Sequence, residues 1–148
     1  MRNSDLVIRA YEPADKETLS SIWFQASLRV HALLGEELLF EQKEMVENIF
    51  LEQAEIWVAL SGGKIIGFIG LLDHFIGGLF VHPKAQGRGV GRKLVEHAFK
   101  LRGELELEVF AENQSAYRFY QKLGFVEISR RAEDDSGLPF ENIRMRLA

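Results

Sequence analysis

The chain contains no cysteine among its 148 residues. It therefore forms no disulfide and has no thiolate nucleophile, so any acyl transfer goes directly to the acceptor or through another residue. It also has no apolar run of about 18 residues, the length that a membrane-spanning helix needs. The first residues, Met1 to Asp5, lack the apolar core of a signal peptide. We therefore expect a cytoplasmic protein with no membrane partner.

The charge balance and the histidine pattern exclude two further classes of function. Acidic residues outnumber basic ones by 22 to 18, which gives a net charge of −4 and argues against a nucleic-acid partner, since that function needs a basic face. The four histidines show no paired metal-ligand spacing, so we expect no catalytic metal. The length and the 47% apolar content predict one globular domain, residues 1–148.

Hydrophobic periodicity predicts strands that alternate with helices. The predicted strands are Leu6–Arg9, Ala54–Leu60, Ile65–Leu72, a strand ending at Val81, Glu104–Val109, Phe125–Arg131 and Phe140–Leu147. One predicted helix is capped by Asp15 and carries the stripe Leu19, Ile22, Trp23, Ala26 and Val30. A second follows Phe40, a third carries Val90, Leu94, Ala98 and Leu101 up to Gly103, and a fourth carries Ala116, Phe119, Tyr120 and Leu123. This order predicts a mixed sheet with helices on both faces.

The run from Gln86 to Gly91, which reads Gln-Gly-Arg-Gly-Val-Gly, lies between a predicted strand and a predicted amphipathic helix. Glycines let consecutive backbone N–H groups surround an anion, and the N-terminus of a helix adds positive charge. Four basic residues lie around the run with no acidic residue among them: Lys84, Arg88, Arg92 and Lys93. The run is not a Walker A loop, which needs Gly-Lys-Ser/Thr, and a dinucleotide fingerprint needs glycine in place of Arg92. We therefore predict a phosphate-binding loop of another kind.

A second block, Asn113 to Phe125, places Tyr120 on a helix just before a glycine-ended return to a strand. Together the two blocks resemble the GCN5-related N-acetyltransferases (the GNAT superfamily), whose pyrophosphate loop reads Gln/Arg-x-x-Gly-x-Gly/Ala. The matching residues are Gln86, Gly89 and Gly91, followed by Asn113, Ala116, Phe119, Tyr120, Gly124 and Phe125. The segment from Ile8 to Asp15 also resembles the first strand of that family, so the resemblance spans nearly the whole chain. Within the superfamily it is greatest to the bacterial YjaB-like proteins.

The resemblance implies an α/β (α+β) fold with a mixed, mostly antiparallel central sheet of six or seven strands, helices on both faces and a splayed central strand pair. It also implies a cofactor, acetyl-CoA, with its pyrophosphate on the glycine run and its pantetheine arm along a strand. The implied cofactor-binding residues are Leu79, Phe80, Val81, Gln86, Gly87, Arg88, Gly89, Val90, Gly91, Arg92, Asn113, Ala116 and Phe119. Asn113 either orients the cofactor arm or a water, or caps its helix. Gly77-Gly78 favours a bulge in the strand, with a simple turn as the alternative.

Direct acetyl transfer needs a neutral amine, donors for the developing oxyanion and an acid for the departing thiolate. The resemblance marks Tyr120 as that acid, although its helical spacing also suits a core residue. The base is unassigned, because the glutamate that many relatives carry on the strand before the loop is matched here by Gly78. The candidate bases are Glu106 and Glu108, which share one face of a predicted central strand with Glu104, then His74, and more weakly His31.

The resemblance therefore predicts an acetyl-CoA-dependent N-acetyltransferase that transfers acetyl directly to a primary amine. The acceptor is left open among protein lysine or N-terminal amines, polyamines, amino acids and aminoglycosides. Glutamates crowd the second helical region from Glu36 to Glu55, where they would suit a cationic acceptor or simply form a solvated helix face. Because Gly78 replaces the expected glutamate, a non-catalytic CoA-binding sensor is the alternative function. Monomer and homodimer both remain open.

Overall fold

A computed structural model describes residues 6–30, 54–133 and 141–148. Seven strands form one sheet: β1 (Leu6–Ala10), β2 (Glu55–Ser61), β3 (Lys64–Leu72), β4 (Phe75–Val81), β5 (Leu105–Phe110), β6 (Val126–Arg131) and β7 (Asn142–Leu147). The helices of the described part are α1 (Lys16–Val30), α2 (Val90–Arg102) and α3 (Gln114–Lys122), with short 3-10 turns at Pro13–Asp15 and Pro83–Ala85. None of these helices is long and apolar enough to cross a membrane.

Most of the predicted elements are present at nearly the predicted positions. Some predictions lie outside the described residues: the helix after Phe40, the candidate base His31 and the glutamates from Glu36 to Glu52.

The strand order across the sheet is β1-β2-β3-β4-β5-β7-β6. Every neighbouring pair is antiparallel except β4 and β5, which run parallel. The prediction of a mixed, mostly antiparallel sheet is therefore confirmed. The parallel pair lies at the centre of the sheet, where the chain crosses from one strand to the other through α2.

β4 and β5 pair only at the start of β4 and then separate. Among the described residues their ladder contains one residue pair, Phe75 opposite Glu106, and the N–H of Glu106 donates to the carbonyl of His74 at 3.0 Å. Beyond that pair, no residue that the structure describes pairs with the edge of β4 facing β5, up to the end of β4 at Val81. We call this gap between the two strands the wedge. The predicted splayed strand pair is confirmed.

A β-bulge distorts β4 beside the wedge. In the β3–β4 ladder Gly70 lies opposite Gly78, whereas the next residue, Leu71, lies opposite Ile76. Gly77 is therefore the extra residue of a bulge, and a glycine adopts such a position without strain from a side chain. The bulge predicted from Gly77-Gly78 is present, and the alternative of a simple turn is wrong.

The sheet buries a different core on each face. One core packs beneath α2 and α3 and includes Ile69, Leu71, Ile76, Leu94, Ala98, Leu105, Leu107 and Tyr120. The other packs beneath α1 and consists of Leu19, Ile22, Trp23, Ile56, Val58 and Phe68. Helices therefore lie on both faces of the sheet, as predicted.

The prediction that Leu101 belongs to the buried stripe of α2 is wrong. Leu101 is 43% exposed, although Val90, Leu94 and Ala98 are buried. The neighbouring Arg102 donates from Nε to the carbonyl of Asp73, in the turn between β3 and β4, at 3.0 Å. The last turn of α2 therefore lies at the rim of the sheet, where Leu101 meets solvent.

Asp15 does not cap α1 as predicted. It ends the 3-10 turn before the helix, where its carboxylate accepts a hydrogen bond from the backbone N–H of Glu12 at 2.9 Å. Two nitrogens of Arg9 donate to the same carboxylate at 2.8 and 3.0 Å. The Arg9 guanidinium holds the pKa of this buried carboxyl below its ordinary value. Asp15 thus fastens the end of β1 to the start of α1.

We expect Asp15→Asn to lower the free energy of unfolding by about 1–2 kcal/mol at pH 7, because the change removes charge-assisted hydrogen bonds from a buried acceptor. A carboxyl with a depressed pKa in the folded state stabilises the protein above its unfolded-state pKa, and that contribution disappears as the pH falls through the folded-state value. Urea unfolding of wild type and variant at pH 7 and at about pH 3 measures this difference. Glu12→Gln is the control, since Glu12 is exposed and reaches Arg9 only at 4.0 Å. If the free energies of unfolding of wild type and Asp15→Asn differed by the same amount at both pH values, the proposed role of the Asp15 carboxylate would be wrong.

Candidate active site

The glycine loop begins where β4 ends. The N–H of His82 donates to the carbonyl of Ile66 at 2.8 Å, and the side-chain nitrogen of Gln86 donates to the carbonyl of Val81 at 3.2 Å. These bonds fasten the start of the loop to the sheet. Gly87 and Gly89 then adopt left-handed conformations, with φ of 81° and 80°. An L side chain is strained in that region, so the backbone path of the loop depends on glycine.

The loop ends at the N-terminus of α2. Gly89 is the N-cap residue, and the N–H of Lys93 donates to its carbonyl at 3.0 Å. The N–H groups of Val90, Gly91 and Arg92 precede that bond and have no carbonyl partner within the helix. Four exposed cations lie close to them in the sequence: Lys84, Arg88, Arg92 and Lys93, of which Arg92 also pairs with Glu96 at 3.7 Å. Free N–H groups, the positive end of the helix dipole and nearby cations fit a phosphate-bearing cofactor.

The second sequence block packs against the first. The Cζ atom of Phe119 lies 3.1 Å from the position of a Cβ on Gly91, and a methyl carbon of Leu79 lies 3.7 Å from it. Phe119 therefore joins α3 to the start of α2 and to β4. The Asn113 side-chain oxygen accepts a hydrogen bond from the N–H of Ala116 at 3.1 Å, so Asn113 is the N-cap of α3.

Tyr120 is buried on α3, with 8% of its surface exposed. Its ring packs edge-on against Phe119 at 5.0 Å and Phe125 at 5.4 Å between centroids. No hydrogen bond joins its hydroxyl to another residue in the described ranges. Burial raises the pKa of this hydroxyl above its ordinary value, since the phenolate is poorly solvated there. Tyr120 is therefore a neutral hydrogen-bond donor at physiological pH.

The glutamates of β5 form a row of ion pairs on the α1 side of the sheet. Glu104 pairs with Arg146 at 3.1 Å, Glu106 with Arg144 at 2.7 Å, and Glu108 with Arg131 through two bonds of 2.9 and 3.1 Å. Arg144 and, to a lesser extent, His74 hold the pKa of Glu106 below its ordinary value. The arginines on β6 and β7 explain why glutamates occupy this face. Glu106, whose pKa is lowered in this way, is a weak proton acceptor.

His74 lies in the turn between β3 and β4, at the closed end of the wedge. Its Nε2 lies 3.2 Å from Oε2 of Glu106, and its Nδ1 lies 3.4 Å from a carboxylate oxygen of Asp73. The Arg144 guanidinium lies over the ring of Phe75, 5.1 Å from its centroid. The structure therefore brings together two predicted base candidates, His74 and Glu106. In the described ranges no three His, Asp or Glu side chains are grouped to hold a metal ion.

The glycine loop and the wedge form one continuous site. The loop provides anion donors at the end of β4, and the unpaired edge of β4 leads from it into the wedge. A strand edge without a partner offers backbone hydrogen bonds to an extended ligand arm that carries amides. The two features together fit a long cofactor with phosphates at one end and an amide-rich arm, which agrees with the implied acetyl-CoA site.

Comparisons with known proteins agree with this geometry. The profile of the acetyltransferase (GNAT) domain family matches residues 52–127, which include β4, the glycine loop and the block from Asn113 to Phe125. The chain is 36% identical to the peptidyl-lysine N-acetyltransferase YjaB of Escherichia coli over 134 residues, which is 90% of each protein. The solution structure of apo-form YjaB from Escherichia coli has a TM-score of 0.86 at 34% identity and covers 95% of this chain and 96% of that one. The PaiA N-acetyltransferase of Thermoplasma acidophilum, in complex with coenzyme A, shares the fold with a TM-score of 0.80 at 20% identity, covering 95% and 97%.

Proposed function

This chain belongs to the GNAT family of acetyltransferases and uses acetyl-CoA, and on that premise we propose that its acceptor is the side-chain amine of a lysine in a protein. One observation supports acetyl transfer most strongly. The open edge of β4 leads from the free N–H groups of α2 into the wedge. The acceptor class is supported by the peptidyl-lysine N-acetyltransferase of Escherichia coli, with which this chain shares 36% of residues over nine-tenths of its length.

The residues of the loop and of β4 would hold the cofactor. Backbone N–H groups from Gln86 to Arg92 would bind the pyrophosphate, and the open edge at Leu79–Val81 would pair with the pantetheine arm. Bound there, acetyl-CoA supplies an acyl group activated as a thioester. Since the chain has no cysteine, the proposed transfer goes directly to the amine without an acyl-cysteine enzyme.

Tyr120 is proposed to donate a hydrogen bond to the sulfur as negative charge develops there. Its raised pKa keeps the hydroxyl protonated, and a desolvated donor without another partner interacts strongly with developing charge. Glu108 and His74 stay predictions for the proton acceptor. Glu108 is held by two nitrogens of Arg131, and the two ring nitrogens of His74 face Glu106 and Asp73.

An acetylation assay with three acceptors tests the proposal. The acceptors are a peptide with an internal lysine and a blocked N-terminus, the same peptide with arginine for lysine and a free N-terminus, and spermidine. We expect the first to gain one acetyl group by mass spectrometry, with stoichiometric release of CoA, and the other two to react at least about ten times more slowly, since a tenfold preference needs only about 1.4 kcal/mol of differential binding. Preferred acetylation of the free N-terminus or of spermidine would overturn the proposed acceptor.

A CoA-binding sensor is the second candidate function, and one observation favours it. On the side of α1 the unpaired part of β4 carries Gly78 and Phe80, neither of which can accept a proton. Tight binding of acetyl-CoA in calorimetry, without transfer to any of the three acceptors, would support the sensor. Transfer that is lost when Tyr120 is replaced would support the enzyme.

A further inference from the structure

The two faces of β4 beside the wedge have different environments. Leu79 and Val81 pack against the core beneath α2 and α3, whereas Phe80 packs against the core beneath α1. The cofactor loop and the aromatic side chain that contacts it, Phe119, belong to the α2 and α3 side. Because the cofactor loop lies on the α2 and α3 side, we expect an acceptor to approach the same thioester from the α1 side. There it meets the side chain of Phe80.

The ring of Phe80 folds back over Gly78. A Cβ atom on Gly78 would lie only 2.5 Å from Cε2 of that ring and 3.2 Å from Cζ. The ring is held in place by Phe68, at 5.3 Å between centroids, and by the edge of Trp23 at 6.4 Å. No side chain larger than hydrogen fits at Gly78 unless this ring moves. The α1 side of β4 is therefore an aromatic wall.

The opposite wall of the wedge offers no free carboxylate among the described residues. Glu106 and Glu108 of β5 lie on the same side of the sheet as Phe80, because Leu105, Leu107 and Val109 fill the core of the other side. Each of these two carboxylates is bonded to an arginine. An ammonium group that enters here finds paired acids on one wall and a partly exposed aromatic ring on the other.

We infer that Phe80 is the specificity-determining residue of the acceptor site, and that its ring binds the methylene chain and the ammonium group of an unbranched alkylamine such as lysine. The inference rests on the proposed function for the identity of the acceptor. An aromatic face attracts a cation and packs against methylene groups at once, which matches a lysine side chain. The backbone of Phe80 faces the cofactor arm, so that the side chain and the main chain of one residue serve the two ligands.

Steady-state kinetics and calorimetry of two variants test this inference. Phe80→Leu keeps apolar volume but removes the ring face, and Phe80→Ala removes both. We expect the KM for an internal-lysine peptide to rise about threefold in Phe80→Leu and about tenfold or more in Phe80→Ala, in line with the strength of cation–π and apolar contacts. We expect the acceptor KM to change more than kcat or the Kd for acetyl-CoA, because Phe80 would bind the cofactor through its backbone, which both variants keep.

Phe68→Leu is the matched control, since Phe68 belongs to the same aromatic cluster but is fully buried on β3. It reports the effect of loosening the cluster, and we expect the acceptor KM to rise less than in Phe80→Leu, because the ring face of Phe80 is kept. Binding of the same peptide to the protein saturated with CoA, measured by calorimetry, separates recognition from turnover. Peptide binding that weakens in the Phe80 variants would support the inference even if the wild type transferred no acetyl group, in which case the proposed enzyme activity alone fails. An unchanged acceptor KM, a selective loss of acetyl-CoA affinity, or no peptide binding by the wild type would overturn the inference.

Discussion

Replacing Tyr120 with phenylalanine is expected to lower kcat for acetyl transfer about 100-fold, the low end of the effect of a positioned proton donor. The change removes one oxygen atom and keeps the ring contacts with Phe119 and Phe125. We therefore expect the Kd for acetyl-CoA and the free energy of unfolding to change little. Single-turnover kinetics together with a calorimetric titration of acetyl-CoA measure the effect.

Tyr117→Phe provides a matched control on the same helix. The Tyr117 hydroxyl donates to Oε2 of Glu127 at 3.2 Å, on the outer side of α3, so the same chemical change there removes a hydroxyl that lies away from the wedge. We expect its kcat to stay within about twofold of the wild type, since an exposed hydrogen bond contributes little. Equal losses in the two variants, or full turnover by Tyr120→Phe, would show that Tyr120 is only a core residue.

The pH dependence adds a second test of the same role. Because burial raises the pKa of Tyr120, the hydroxyl stays protonated throughout the pH range in which such enzymes are measured. Tyr120→Phe should then lower kcat by the same factor at every pH between about 6 and 9, since the protonated fraction of Tyr120 does not change in that range. A factor that fell towards high pH would indicate a hydroxyl that ionises in this range.

Local pattern was enough to predict most of the helices and strands, whereas the mostly antiparallel sheet and its splayed strand pair were expected only from the family resemblance. Strict alternation in Glu104–Val109 and the apolar stripe of α2 depend only on which side chains face the core, so they are visible in the sequence. The prediction failed where the outcome depended on contacts between distant segments. Asp15 has the residue type of a helix cap, but the bidentate partner Arg9 draws it into a different role. Leu101 has the right spacing, but it lies where the sheet beneath the helix ends.

For the same reason, the sequence predicts some parts of the candidate site and not others. The glycine loop is a local chemical pattern, since three glycines in six residues permit conformations that L side chains rarely adopt, such as the φ of 80° at Gly89. The partners of the β5 glutamates could not be predicted, because Arg144 and Arg131 meet them only through the pairing of β5, β7 and β6. The ring of Phe80 over Gly78 was missed as well, although a side chain two residues away along a strand lies on the same face.

Replacing Gly89 with valine is expected to weaken acetyl-CoA binding by about 10- to 100-fold, the loss that follows when one or two hydrogen bonds to a charged group are removed. Gly89 is the N-cap of α2 at φ 80°, where an L side chain is strained, so the loop must change its path. That change misdirects the N–H groups of Val90 and Gly91, which no helical carbonyl binds. Calorimetric titration with acetyl-CoA measures the loss.

Gly103→Val separates this effect from simple backbone strain. Gly103 adopts a φ of 79° as the C-cap of the same helix, and no atom lies within 4 Å of a Cβ placed on it. Both variants therefore suffer a similar strain, about 1–2 kcal/mol for an L residue in the left-handed region, but at opposite ends of α2. If the anion donors lie at Gly89, only Gly89→Val loses affinity for acetyl-CoA, while the temperature of thermal unfolding shifts similarly in Gly89→Val and Gly103→Val. Equal affinities in the two variants would mean that the pyrophosphate is held by the exposed cations alone, because side-chain charge survives a change in loop path whereas aligned backbone donors do not.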